Sequence, residues 1–181
     1  LLPVAGAQQL PAWAFPVPNA ALANAPPPDA RTPLHLPGSR ARYTQAQLAD
    51  LYGAPDWHPE SHPPMPPIVA QGRKPDVAAC GYCHLPGGQG RPENAALAGL
   101  PAPYIVAQIQ AMASGERRSA FPGAYKPSDL MVGVAQHVTT AEAAAAADYF
   151  SRLPLPPRVR VLERARVPRS HVAGWLRVAD A

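Results

Sequence analysis

Apolar positions recur with a helical period in two stretches of the chain. From Pro103 to Ser114, Ile105, Ile109 and Met112 fall at i, i+4 and i+7, the spacing of one apolar helix face. Pro103 suits the first turn and Gly115 the C-cap. From Thr139 to about Arg152, Ala146, Tyr149, Phe150 and Leu153 share a face, and Thr139 with Glu142 forms a capping-box pattern. The alanines between them supply helix propensity and allow a close helix approach. Shorter elements come before and between. Thr44 to Gln47 is a second capping-box pattern and predicts a helix of about two turns carrying Leu48, Leu51 and Tyr52, stopped by Gly53 and Pro55. Ile68 to Gly72 reads as a helical turn. A Pro- and Gly-rich loop from Ala120 to Pro127 precedes Ser128, which is expected to cap a short turn carrying Leu130, Met131 and Val134. From Arg158 to Val167 the period changes to partial apolar–charged alternation, that of a half-exposed strand, with His171 to Val178 as its expected hairpin partner. Two strands alone are barely stable. The ribbon is therefore expected to dock on the rest of the chain, to pair with another chain, or to lead into sequence beyond Ala181.

Composition explains why so much of the chain lacks a period. Proline makes up 26 of 181 residues, far above the usual ~5%, and proline both lacks the N–H and fixes φ. Residues 1–42 are Pro/Ala-rich and too poor in apolar clusters to form a core, with Trp13 and Phe15 as possible anchors. The net charge is +4, with a pI near 9.4. That balance suits an acidic protein partner or an anionic surface as well as it suits a plain solvated exterior. No Lys/Arg run with interleaved aromatics points to nucleic acid, and no stretch reaches the ~18 consecutive apolar residues of a membrane span. Leu1 to Ala7 resembles the tail of a signal peptide.

The chemistry is concentrated at Cys80-Gly81-Tyr82-Cys83-His84. These are the only two cysteines of the chain, set two residues apart, with a histidine immediately after. A redox dithiol would want a βαβ context, and a structural zinc site would want two further ligands at paired spacing. Neither is present in the sequence. C-x-x-C-H is instead the attachment pattern of c-type haem, in which the thiols add to the two vinyl groups and the histidine faces the iron. Met65, Met112 and Met131 are the methionines available for the sixth position. The Gly-rich run from Gly87 to Gly90 would let backbone pass close to a flat cofactor face. His58 and His62 are four apart, but Pro59 and Pro63 argue against the helix that would make them a metal pair.

Residues 68–153 resemble class I c-type cytochromes, closest to the bacterial cytochrome c4 and c553 kind. The likeness rests on Cys80–His84 with Gly88 and Gly90, then Leu97-Ala98-Gly99, then Tyr104, Gln108 and Ile109. It continues through Gly115-Glu116-Arg117, Met131 with Val134-Ala135, and Thr139 to Phe150. The resemblance implies an all-α class I cytochrome c fold around one covalent haem c over 68–154. A Pro-rich arm (1–67) and a possible C-terminal β-ribbon (155–181) would flank it. It implies that Cys80, Cys83 and His84 hold the haem and that Met131 is the distal ligand with His137 as runner-up. Tyr104 and Arg117 are counted with the cofactor-binding residues; Arg117 and Arg118, just after the helix, are placed to pair with a haem propionate, with plain surface arginines as the default reading. Met112 then reads as helix packing. The chain departs from the pattern at Leu85, where the family often has Gly, and at Ala95, where it usually has Pro. The proximal imidazole needs a backbone carbonyl on its other ring nitrogen, and Pro86 and Pro92 are the candidates.

The expected function is single-electron transport in the periplasm. The chain would be an electron carrier, not an enzyme in itself, acting as subunit or acceptor of a dehydrogenase and passing electrons to an oxidase or another cytochrome. The alternative is a haem enzyme or gas-binding protein with an open distal site.

Overall fold

In the computed structural model, which describes residues 31–121, 125–155, 157, 160–173 and 176–180, the core is built on the last helix. The elements run α1 (Gln45–Ala49), a 3₁₀ turn (Pro59–Ser61), α2 (Pro67–Ala70), α3 (Cys80–His84), α4 (Ala102–Ser114), α5 (Lys126–His137), α6 (Thr140–Ser151), β1 (Ser170–Ala173) and β2 (Leu176–Ala179). The described residues are mainly helical and loop, with one two-stranded sheet. This is compatible with the expected all-α architecture.

The capping box of α6 forms as the sequence predicts. Thr139 Oγ1 accepts from the Glu142 N–H at 3.2 Å, and Glu142 Oε2 accepts from the Thr139 N–H at 2.8 Å. The helix buries Ala143, Ala146, Ala147, Tyr149 and Phe150. Phe150 is fully enclosed, a burial that contributes about 1.5–3 kcal/mol. Ile68 and Val69 of α2, Val77, Ala98, Ile105 of α4 and Leu153 complete the core, with Met65 packed at its edge. The small alanine side chains let α4 and α2 pack directly on α6. α4 ends as predicted at Gly115, whose φ of +78° is left-handed and whose N–H returns to the Met112 carbonyl.

Three elements differ from expectation. α1 keeps its Thr44–Gln47 capping box but stops at Ala49, so Leu51 and Tyr52 lie beyond it. α5 is a full helix from Lys126, not a short turn capped by Ser128. Pro127 falls in its first turn, where a missing N–H removes no intrahelical bond. The loop residues 122–124 before it lie outside the described residues. The hairpin forms entirely within the second tail segment, with Ser170 opposite Ala179 and Val172 opposite Arg177. The alternating stretch before it forms no strand, and Pro168 between them cannot donate to a ladder. Residues 1–30 of the Pro-rich arm lie outside the described residues. Within its described part the Tyr43 hydroxyl donates to the Asp56 carbonyl and accepts from the Asp56 N–H, and the arm joins the rest where the Ala54 N–H donates to the Ala70 carbonyl at 2.8 Å and the Leu51 carbonyl accepts from the Ala79 N–H at 2.9 Å. Among the described residues no helix is long and apolar enough to cross a membrane.

Candidate functional site

The C-x-x-C-H stretch is itself the short helix α3, so Cys80 and Cys83, three apart, lie on one side of a single turn. What seats that turn is Gly81. A methyl group there would stand 2.9 Å from the Val69 carbonyl and 3.0 Å from the Ala54 side chain. The first variable position of the motif therefore has to be bare for α2 and α3 to pack. Both thiols are free and partly buried. Burial pushes the Cys80 thiol up to about 12, and also raises that of Cys83. Tyr82, the other variable residue, carries the Arg91 guanidinium 4.6 Å above its ring.

His84 is held in one tautomer. Its Nδ1 lies 2.8 Å from the Ala95 carbonyl. A carbonyl can only accept, so Nδ1 carries the proton and Nε2 keeps a free lone pair. Burial lowers the imidazole pKa, partly opposed by the same hydrogen bond, so the neutral, ligating form is favoured. The sequence pointed to Pro86 or Pro92 for this carbonyl, and the structure assigns it to Ala95. The Phe150 ring stands edge-on to His84 at 6.3 Å, tying the site to the core.

The glycine run after the motif makes this geometry possible. Gly90 has φ +71°, and its N–H donates to the His84 carbonyl at 2.9 Å. A Cβ on it would collide with the Asn94 carbonyl and stand 2.7 Å from the Ala95 carbonyl oxygen. The sequence assigned these glycines to a close pass over a cofactor face. The close approach seen is to backbone at 94–95 and, from Gly88, to Ala98 and Phe150. The Leu97 and Ala98 N–H groups donate to the Gly88 carbonyl, and the Gly99 N–H donates to that of Phe150. The Leu-Ala-Gly step thus pins the loop to α6. Leu85, the residue next to His84, is the non-glycine residue found at positive φ, +63°.

The remaining predicted residues are spread more widely. Met131 is partly buried in the middle of α5. His137, at the end of the same helix, is exposed and donates from Nδ1 to the Gly133 carbonyl. Tyr104 stands half exposed on the first turn of α4. Arg117 donates to Gln108 Oε1 at 2.7 Å, so the contact found for it is with α4. Met112 is partly buried on α4. His58 bonds to Glu60 and His62 to other partners, and no cluster of three metal-binding side chains exists among the described residues.

Two networks were not read from the sequence. Arg73 donates to Glu142 at 2.8 Å and to the His137 carbonyl at 2.8 Å, bridging the segment before the motif to the α5–α6 junction. The Arg73 guanidinium and the Thr139 N–H hold the Glu142 carboxyl down at about 2. His62 Nδ1 lies 3.0 Å from the Tyr149 hydroxyl, which donates to the Pro86 carbonyl at 2.8 Å. His62 Nε2 faces Asp56 at 3.2 Å. This chain of bonds ties residues 56–62 to α6 and to the loop after His84. Both networks join residues far apart in sequence, and no local pattern signals them. A cleft of about 610 Å³ runs between Leu51-Tyr52, Pro75–Ala78 and one face of α5. Its lining contains neither cysteine, nor His84, nor Met131.

No protein-family model matches the chain. A thiosulfate dehydrogenase electron acceptor from Thiomonas intermedia (strain K12) is 36% identical over 81 residues, which are 44% of this chain and 33% of that protein. The chain thus spans about a third of that relative's length. A solved thiosulfate dehydrogenase (TsdBA) from Marichromatium purpuratum, in its as-isolated form, shares 28% identity over 52% of this chain and 19% of its own, with a TM-score of 0.43.

Proposed function

We propose that the chain is a c-type cytochrome that accepts single electrons from a dehydrogenase, with one covalent haem on residues 68–154 and extensions on either side. The observation that carries this reading is the presentation of His84. Two free thiols on one turn precede a neutral imidazole whose Nδ1 is committed to the Ala95 carbonyl and whose Nε2 is free. That donor set fits haem. Cys80 and Cys83 would hold it through thioether links, and His84 and Met131 would ligate its iron. Tyr104 and Arg117 would lie at its periphery. The bound haem supplies a one-electron ferric–ferrous couple. The protein's part is to hold the cofactor rigidly, to fix the imidazole through Ala95, and to set an apolar wall that favours the less charged ferrous state.

The order of motifs supports the cytochrome c4 and c553 kind. The relative that is named as a thiosulfate dehydrogenase electron acceptor supports a dehydrogenase as donor, and makes a thiosulfate dehydrogenase the first to try. Covalent haem attachment is matured outside the bacterial cytoplasm, which supports the periplasm as location. An oxidase or another cytochrome would take the electron onward.

The test is spectroscopic. After expression with a haem-attachment system, the chain should keep one haem through acid–acetone extraction, and Cys80→Ser with Cys83→Ser should lose it. The ferrous wild type should ignore CO, and Met131→Ala should bind it. Loss of haem from the wild type on extraction would sink the reading. CO binding by the wild type would instead turn it towards an open distal site.

A further inference from the structure

The net charge of this chain resides in its tail. Residues 1–154 contain ten Lys or Arg and ten Asp or Glu, and are neutral overall. The remaining residues hold six arginines, at 158, 160, 164, 166, 169 and 177, against Glu163 and Asp180. Asp180 is already engaged, with His171 at 2.8 Å. Among the described residues, no ion pair involves the side chains of Arg160, Arg164, Arg166 or Arg169.

The pattern along this stretch is as specific as its charge. From 158 to 167 the even positions read Arg, Arg, Leu, Arg, Arg, and the odd positions read Val, Val, Glu, Ala, Val. In an extended strand successive side chains alternate between faces, so this sequence would carry arginines and Leu162 on one face and valines, Ala165 and Glu163 on the other. Pro156-Pro157 and Pro168 bracket it, and residues 160–167 form no helix. Yet residues 160–167 form no strand and no β-bridge with any other described residue. Residues 160–169 are exposed throughout, Val161 at 83% and Val167 at 76%. Valines of a strand are ordinarily buried, and here a sequence patterned for a strand lacks the sheet that would cover it.

We propose that residues 160–167 are a docking strand for the electron-donor dehydrogenase. The strand would add to an open sheet edge on an acidic face of that enzyme, with main-chain bonds giving affinity and the arginine stripe giving attraction and register. This deepens the carrier reading and rests on it. The charge decides the sign of the partner, because an arginine stripe on an otherwise neutral protein steers towards acidic surfaces. The period decides the kind of partner. A lipid surface is bound by amphipathic helices of period 3.6 with bulky aromatic or leucine faces, and this stretch has period 2 and a face of Val, Ala and Glu163. Electrostatic steering changes association rates by about 10–1,000-fold at low salt.

The experiment uses the haem-loaded full chain and a variant with Arg160→Ser, Arg164→Ser and Arg166→Ser, checked for an unchanged haem spectrum. Thiosulfate dehydrogenase from Thiomonas intermedia with thiosulfate is the probe. Two things are read: the rate of haem reduction at low and high salt, and amide exchange of residues 160–169 with and without the enzyme. The expected result is that the variant is reduced at least tenfold more slowly at low salt, that the difference closes at high salt, and that the enzyme protects the wild-type tail. Equal rates and an unprotected tail overturn the docking strand and leave the carrier reading standing. A protected tail with no reduction keeps the docking strand and overturns thiosulfate dehydrogenase as donor. Neither reduction nor protection overturns both. Protection by vesicles of equal phosphatidylglycerol and phosphatidylcholine, but not by the enzyme, assigns the tail to a lipid surface and overturns the proposal.

Discussion

Replacing Gly90 by alanine tests the geometry on which His84 depends. Two costs add. The residue sits at φ +71°, where a side chain costs about 1–2 kcal/mol. The new methyl would also meet the carbonyls of Asn94 and Ala95, the latter at 2.7 Å, and forcing backbone apart in a packed site costs about 1–3 kcal/mol. The sum is a loss of about 2–5 kcal/mol in guanidinium unfolding of the haem-loaded protein. Gly38 separates the two terms. It has φ +82° but nothing within 4 Å of its would-be Cβ, so Gly38→Ala should carry only the backbone cost. The functional consequence follows from which atom moves. On the haem reading proposed above, withdrawal of the Ala95 carbonyl from His84 Nδ1 would make the imidazole a weaker donor to iron, cost the ferric state more than the ferrous, and raise the reduction potential. Gly38→Ala should leave the potential unchanged. If Gly90→Ala unfolds at the same denaturant concentration as Gly38→Ala, or if its potential matches the wild type, the Ala95 carbonyl is not what fixes His84.

Three further substitutions probe the surrounding supports. Tyr149→Phe removes the hydroxyl that serves both the Pro86 carbonyl and His62, and should cost about 1–3 kcal/mol in chemical denaturation because buried groups are left unpaired. The Arg73 guanidinium and the Thr139 N–H hold the folded Glu142 carboxyl down at about 2, below its ordinary value, so its contribution is complete above the ordinary glutamate value of about 4.3 and fades as the pH falls towards 2. Glu142→Gln, which keeps the capping box but not the charge, should therefore cost about 0.5–1 kcal/mol at pH 7 and nothing measurable near pH 2, as read from denaturation midpoints across that range. Leu85 at φ +63° and ψ 151° occupies a region that costs a side chain about 1–3 kcal/mol. Leu85→Gly should be neutral or stabilising in thermal melts, and a clear loss of stability would refute that strain.

The parts of this fold that could be read from sequence are those encoded locally. The capping boxes at Thr44 and Thr139, the apolar face of α4 and its Gly115 stop all form where the pattern places them, because each depends on residues within one or two turns. The start of α5 could not be read in the same way. Pro127 is equally at home in a loop and in a first helical turn, and what extends the helix is its packing along α4. The tail misled for a related reason. Alternation shows that a strand is possible but does not name its partner, and the pairing that forms is the one closed by the shorter turn, within 170–179. Arg73–Glu142 and His62–Tyr149 join residues 69 and 87 positions apart, a separation over which a single sequence carries no pairing signal.

The site itself shows a different limit. Its side-chain donors, Cys80, Cys83 and His84, stand out as letters in the sequence. The group that orients His84 does not, because it is a main-chain carbonyl, and every residue has one. Ala95 stood out only as a departure from a family pattern that has Pro there, which made the carbonyl's source harder to assign although alanine supplies the same oxygen. The constraint does leave a trace one step away. A carbonyl pressed against a neighbouring backbone leaves no room for a Cβ, and that neighbour must be glycine. Gly90, with its left-handed φ and its contact with the Ala95 oxygen, is that trace, and Gly81 records the seating of α3 on α2 in the same way. In the C-x-x-C-H region the cysteines and the histidine mark the candidate donor atoms. The glycines tell which main-chain atoms hold them in place, and that second signal points to Ala95 where the prolines at 86 and 92 did not.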